Sequence, residues 1–182
     1  MEKEYLTKFF PFESFESKSF GIFNENDENQ SSKLPVYGYA NVFETYDHHN
    51  DLVAHGAFEE SLKRHKNNNT MPAMLAEHQF AVEGRWTAFK EDQFGLWVEG
   101  EIDKDDPLCE KVVQRVVKGL SIGFYLQDGF EKKIIMNGKN MSIRYITKVD
   151  LVEVSLVASP ANVYSTVIPR NVNHYNHNHS RA

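Results

Sequence analysis

Apolar and polar positions alternate along much of the chain between residues 34 and 168, and this pattern predicts mainly strands. In the stretch 96–103, Leu, Val, Gly and Ile alternate with Trp, Glu and Asp, which is typical of a half-buried strand. The segment 84–103 is therefore predicted to be a hairpin whose second arm is this strand. Further strands are predicted at 34–43, 74–80 and 120–126, and at 141–159 after a hairpin turn at Asn137–Gly138.

Two segments have the spacing of amphipathic helices. The first, 56–66, places Phe58 and Leu62 four residues apart. The second begins at Asp106–Pro107, an N-cap residue followed by proline in the first turn. Its apolar face is formed by Leu108, Val112, Val113, Val116 and Val117, and Gly119 is predicted to end it. The element order predicts an α+β fold of mostly antiparallel strands with two or three flanking helices.

The two ends of the chain differ in composition from the middle. Residues 1–33 are acidic and rich in phenylalanine, and they are predicted to be flexible apart from an edge strand at 17–23. Residues 34–168 are predicted to form one domain. The Asn- and His-rich tail, 169–182, is predicted to be disordered.

Length and charge exclude several classes of protein. The chain has 182 residues, too few for a two-domain dinucleotide-binding enzyme or a (β/α)8 barrel. Its formal net charge of -6 argues against nucleic acid as the main partner, because phosphate binding requires a positive surface. A single cysteine excludes an intramolecular disulfide. No apolar run reaches the roughly 18 residues of a membrane span.

A candidate nucleophile, Ser121, lies in a Gly-x-Ser-x-Gly segment at 119–123. The nucleophile elbow of α/β-hydrolases requires a strand, a turn and a helix in that order, and a histidine after the serine. Here the order is helix, glycine, strand, and the later histidines all lie in the polar tail, so this interpretation fails. On a strand, Ser121 and Gly123 would instead point away from the apolar Leu120 and Ile122. We expect the small Gly123 to leave room for a substrate chain.

A serine nucleophile needs a base and a group that orients the base. His78, in the short apolar segment 74–80, is the best candidate for the base. Asp150 and Glu153 both lie in the strand-like run 150–157, and either could orient the imidazole. Arg144 is a candidate for stabilising an oxyanion, although a surface position on a strand is the simpler interpretation.

Other candidate sites have simpler explanations. The segment 47–55 contains Asp47, His48, His49, Asp51 and His55, but their spacing matches no standard metal site and favours an exposed polar turn. Cys109 lies in the first turn of a helix, where packing is the usual role of a lone cysteine. Ser155 is interpreted as a structural strand residue. No metal and no cofactor are predicted.

Four sequence blocks occur in order: VYGYANVFETYDHHNDLVAHGAFEESL, MLAEHQFAVEGRW, GLWVEGEID followed by a helix and GLSIGF, and DLVEVSLVASPANVYSTV. In these blocks, which span 34–168, the chain resembles the prohead (capsid maturation) proteases of tailed bacteriophages. The resemblance implies a serine peptidase with a herpesvirus-protease-like fold, a barrel-like sheet with flanking helices. It also implies that Ser121 is the nucleophile, His78 the general base and Glu153 the orienting acid, with Asp150 in reserve.

The resemblance further implies a place of action and a set of partners. We expect an endoprotease that cleaves scaffold and major capsid protein segments, and itself, inside the procapsid in the host cytoplasm. It would need no cofactor, no membrane and no specific nucleic acid, and self-association into a homo-oligomer is expected. The alternatives are a non-catalytic scaffolding or capsid-assembly module of the same fold, and a metal-dependent hydrolase that uses the segment 47–55.

Overall fold

The computed structural model describes residues 32–82, 84–136 and 138–170. In order, its elements are β1 (Lys33–Val42), β2 (Asp51–Val53), α1 (Glu59–Asn68), β3 (Ala73–Ala76), β4 (Phe80–Ala81), β5 (Gly84–Glu91), β6 (Gly95–Asp103), α2 (Pro107–Val113), β7 (Gly119–Met136), β8 (Lys139–Val157) and β9 (Val167–Pro169). The predicted N-terminal edge strand and the tail from residue 171 lie outside the described residues. β9 extends one residue past the predicted domain end at 168.

The first sheet has the strand order β5-β6-β1-β9, and its neighbouring strands are antiparallel. The hairpin predicted at 84–103 is confirmed as β5 and β6. Along β6, buried and partly exposed residues alternate, as the period of two predicted. Leu96, Val98 and Ile102 are the buried apolar positions, and they direct this face of the sheet into the core.

The second sheet is built on β8, and both edges of that strand are occupied. β7 pairs antiparallel with β8 along its whole length, across the predicted hairpin turn. β2 lies beside residues 144–146 and β3 beside residues 153–156, and both run parallel to β8. Since β7 occupies one edge, β2 and β3 must share the other. The sequence pattern did not predict these parallel pairings, because short strands carry no signal for the direction of their partner.

The two sheets meet where Gly119, at the start of β7, bridges Thr166 just before β9. Their apolar faces contribute to one core, whose largest fully buried side chains are Phe58, Leu96, Ile102, Leu120, Ile146, Leu151 and Leu156. Across the described residues the strands form two sheets and no closed barrel. The predicted α+β fold, mostly antiparallel with flanking helices, is confirmed.

Both predicted helices are present, but the second is shorter than its apolar pattern. α2 begins as predicted, because the carboxylate of Asp106 accepts a hydrogen bond from Leu108 N–H at 2.7 Å. The helix ends at Val113, and Arg115 then takes a left-handed conformation with φ of 62°. The prediction that Gly119 ends this helix is wrong, since Gly119 begins β7. In the part of the chain that the structure describes, neither helix could cross a lipid bilayer.

Candidate active site

Three adjacent strands of the second sheet bring the predicted site residues together. Ser121 lies on β7, Glu153 lies on β8, and His78 lies in the turn between β3 and β4. Because β7 and β3 flank β8 on opposite edges, the elements that carry Ser121 and His78 lie on either side of the strand that carries Glu153. The prediction that His78 lies within a strand is wrong, because residues 77–79 form a turn.

The imidazole of His78 has a hydrogen-bond partner at each nitrogen. Its Nε2 lies 2.9 Å from Ser121 Oγ, and its Nδ1 lies 2.5 Å from Glu153 Oε1. This order of hydroxyl, imidazole and carboxylate is the one that activates a serine as a nucleophile. Ser121 and Glu153 are each only 8% exposed, whereas the His78 side chain is 42% exposed. The imidazole is therefore the member of the group that faces solvent.

The glycine at position 123 makes room for the glutamate. Gly123 is the cross-strand partner of Glu153, and a Cβ at this position would lie 2.1 Å from Glu153 Oε1. The expectation that this small residue leaves room for a substrate chain is therefore wrong, because the Glu153 side chain fills the space. Any larger residue here would displace the carboxylate from its position beside His78.

A second serine completes the hydrogen-bond network. Ser155 Oγ donates to Glu153 Oε2 at 2.8 Å and accepts the main-chain N–H of His78 at 3.1 Å. The Ser155 side chain is fully buried. Sequence reasoning interpreted it as structural and missed these contacts. The signal that could have revealed them is the spacing of Ser155 from Glu153, because residues i and i+2 of a strand lie on the same face.

The turn that carries His78 has an unusual backbone that is anchored to β8. Glu77 and His78 have φ of 51° and 59°, a left-handed conformation uncommon for residues with a Cβ. Glu77 N–H donates to Leu156 O at 3.1 Å, and the Glu77 carboxylate accepts Ala158 N–H at 2.8 Å. The backbone that presents the imidazole is thus held to the strand that carries Glu153.

The reserve carboxylate, Asp150, also lies on β8 but contacts the first helix. It forms an ion pair with Arg64, and its Oδ1 accepts a hydrogen bond from Ser61 Oγ at 3.3 Å. Glu153, and not Asp150, is thus the carboxylate within hydrogen-bond distance of His78.

Ser121 and His78 line a cleft of about 330 Å³, large enough for a side chain of a bound peptide. Arg144 also lines this cleft, with Nε 2.7 Å from Asp51 Oδ1 and Nη2 paired with Oδ2. The hydrogen bonds to Asp51 raise the pKa of Arg144. Arg144 is therefore a guanidinium held by a buried carboxylate at the wall of the cleft.

In the polar segment 47–55, the carboxylate of Asp47 makes local contacts, whereas that of Asp51 pairs with Arg144. Asp47 Oδ1 accepts the main-chain N–H groups of His49 and Asp51, each at 2.8 Å. The His55 ring packs against Phe43, with ring centroids 4.5 Å apart. Among the described residues, no three His, Cys, Asp or Glu side chains are grouped so that they could hold a metal ion.

The remaining candidates from the sequence lie elsewhere. Cys109 is buried in α2, at 1% exposure. The tail histidines, His174, His177 and His179, lie outside the described residues. The arrangement that can activate a hydroxyl is that of Ser121, His78 and Glu153.

Comparison with known proteins shows a family that matches most of the chain and one relative that matches about half of it. The family described as caudovirus prohead serine protease matches residues 22–180. The prohead protease of Enterobacteria phage HK97 is 31% identical over 93 residues. That match covers 48% of this chain and 40% of the HK97 protein, so the chain spans less than half the length of this relative.

Proposed function

The chain belongs to the caudovirus prohead serine protease family, and we propose that it is a serine endopeptidase of phage capsid maturation. The observation that carries this proposal is the continuous chain of hydrogen bonds from Ser121 Oγ through the His78 imidazole to Glu153. Ser121 is the nucleophile, His78 is the general base, and Glu153 orients the base.

In the proposed reaction, Ser121 Oγ attacks the carbonyl carbon of the scissile peptide bond while His78 Nε2 accepts the hydroxyl proton. The 2.9 Å separation of these two atoms is within the range for direct proton transfer. The imidazolium then donates this proton to the leaving amine, and an acyl ester remains on Ser121. His78 next takes a proton from water, whose oxygen attacks the ester carbon. The bond between this carbon and Ser121 Oγ then breaks, the imidazolium returns its proton to Ser121 Oγ, and the new carboxyl end is released.

Glu153 acts on the imidazole rather than on the substrate. As a carboxylate it accepts a hydrogen bond from Nδ1–H, which leaves Nε2 unprotonated and directed at the serine. Its negative charge also stabilises the imidazolium that forms during the attack. Burial of Glu153 strengthens this interaction, because the surroundings screen it less than water would.

The proposed substrates are segments of the major capsid protein and of the scaffold, together with the chain itself. Family membership and the name of the HK97 relative support this choice. The exposed imidazole and the open cleft would let an extended polypeptide reach Ser121. The proposed site of action is the procapsid in the host cytoplasm, and the proposed active form is a homo-oligomer. The three residues require no cofactor for this reaction.

The central test replaces the nucleophile. We expect Ser121→Ala to abolish cleavage of the co-expressed major capsid protein of the same phage, because an alanine has no hydroxyl to acylate. Product mass spectrometry would measure cleavage, and circular dichroism would report the fold. Ser142→Ala is the matched control, since Ser142 lies on the exposed part of the β7–β8 hairpin and bonds to Glu131.

The same experiment decides between the proposal and a non-catalytic capsid-assembly module. Loss of cleavage in Ser121→Ala and His78→Ala, with cleavage retained in Ser142→Ala, would support the enzyme. Unchanged cleavage in both site variants would contradict it.

A further inference from the structure

We propose that Ser155 is a positioning residue that aligns both the base and the acid of the site, an inference that rests on the proposed function. Its hydroxyl contacts the main chain of His78 and the side chain of Glu153. Ser155 does not contact the reacting atoms, so its effect on the reaction must pass through those two residues.

The hydroxyl of Ser155 uses its only proton in one of these contacts and a lone pair in the other. Its proton goes to Glu153 Oε2 at 2.8 Å, and its oxygen accepts His78 N–H at 3.1 Å. A hydroxyl has one proton to donate, so this arrangement allows one orientation. Both partners are thereby fixed relative to β8, at a fully buried position.

Glu153 needs a second partner to keep its orientation. One carboxylate oxygen, Oε1, faces His78 Nδ1, while Oε2 accepts the proton of Ser155. Without the hydroxyl, Oε2 would be buried without this donor, which favours rotation of the carboxylate towards water. Such a rotation would take Oε1 away from the imidazole.

His78 needs the contact for a different reason. Its side chain is 42% exposed, so packing alone does not hold the ring. Its backbone has a left-handed conformation, with φ of 59°. The hydrogen bond from its N–H to Ser155 Oγ holds this turn at the point where the imidazole leaves the main chain.

The chain contains a matched control for this position. Ser61 is also fully buried, its Oγ accepts Leu151 N–H at 2.9 Å, and it donates to Asp150 Oδ1 at 3.3 Å. The two serines therefore make the same kinds of contact, a main-chain N–H and a carboxylate. They differ in that the Ser61 contacts do not include His78 or Glu153.

The experiment compares Ser155→Ala with Ser61→Ala by three measurements. These are the rate at which Ser121 reacts with a fluorophosphonate probe, the downfield proton NMR signal of His78 Nδ1–H, and the midpoint of thermal unfolding. We expect Ser155→Ala to slow labelling by about 10- to 100-fold, as misaligned reacting groups do, and to broaden or remove the Nδ1–H signal. Ser61→Ala should lower the unfolding midpoint and leave the other two measurements at wild-type values.

A retained Nδ1–H signal and labelling rate in Ser155→Ala, with only a lowered midpoint, would overturn the proposal. If Ser155→Ala does not fold, Ser155→Cys keeps a weaker donor of similar size, and we expect intermediate labelling. The NMR signal does not depend on protease activity. A chain that fails the cleavage test can therefore still show whether Ser155 aligns His78 with Glu153.

Discussion

Two carboxylates on β8, Asp150 and Glu153, lie three residues apart and have different surroundings. Glu153 is 8% exposed and contacts His78 and Ser155. Asp150 forms an ion pair with Arg64, and its side chain is 40% exposed whereas that of Arg64 is 47% exposed. An exposed ion pair contributes little to stability, about 1 kcal/mol or less. The proposed role of Glu153, which is to orient the imidazole, instead predicts that its loss lowers the reaction rate.

Replacement of each carboxylate by its amide separates these roles. We expect Glu153→Gln to lower the rate of capsid-protein cleavage by roughly 10²- to 10⁴-fold, because an amide neither stabilises the imidazolium nor selects the same tautomer. Asp150→Asn should leave the rate within about 3-fold of wild type. Timed cleavage assays with both purified variants would measure the effect, and the opposite ranking would assign the orienting role to Asp150.

At the scale of secondary-structure elements, the pairing of β7 with β8 determines the shape of the site. Ser121 lies opposite Ser155, and Gly123 lies opposite Glu153. After this pair the register shifts, so that Phe124 lies opposite Leu151. Val152 is the additional residue of β8, and it forms a bulge directly beside the site. Bulges are common next to active sites.

Gly123→Ala tests whether Glu153 can lie beside His78 only because residue 123 has no side chain. The new Cβ would lie 2.1 Å from Glu153 Oε1 and 2.8 Å from its Cγ, so we expect the Glu153 side chain to move and the strands to stay paired. Timed cleavage assays should show a rate at least about 10-fold lower than that of wild type.

A double-mutant cycle provides the control for this prediction. In the Glu153→Gln background, Gly123→Ala should have little further effect on the rate, because the carboxylate that it displaces is already absent. Fully additive effects would contradict the proposed cause.

At the scale of the whole molecule, Glu91 connects the first sheet to the start of α1. Its carboxylate, on β5, accepts hydrogen bonds from the main-chain N–H groups of Gly56 and Phe58. Burial raises the pKa of the Glu91 carboxyl above its ordinary value of 4.5, although the two hydrogen bonds partly oppose this. Phe58 is fully buried, so this connection lies against the core.

The raised pKa predicts a pH dependence of stability. A carboxyl group with a higher pKa in the folded protein than in the unfolded one binds its proton more tightly in the fold. The free energy of unfolding that Glu91 contributes in this way is complete below its pKa in the unfolded chain, about 4.5. This contribution is lost as the pH rises through its pKa in the folded protein. We therefore expect wild type to lose its stability advantage over Glu91→Gln as the pH rises through that window. Urea unfolding of both proteins between about pH 4 and pH 7.5 would measure this, and an advantage that grows with pH would contradict it.

Properties that depend on neighbouring residues could be predicted from the sequence. Asp106–Pro107 starts α2, because an N-cap and a proline at the first turn act within a few residues. The alternation along β6 and the turn before β8 are likewise local. The placement of Ser121 on a strand also followed from its immediate neighbours.

The sequence by itself thus determined most of the strands and helices and the candidate residues of the site, although it wrongly placed His78 within a strand and missed the contacts of Ser155. Only the tertiary structure decided that Glu153 contacts His78, that Gly123 makes room for Glu153, and that Ser155 joins both. The reason is distance along the chain: His78 meets Ser121 across 43 residues and Glu153 across 75. Contacts of that kind depend on the parallel pairing of β3 with β8, and no periodicity within a single segment specifies which strand will be its neighbour.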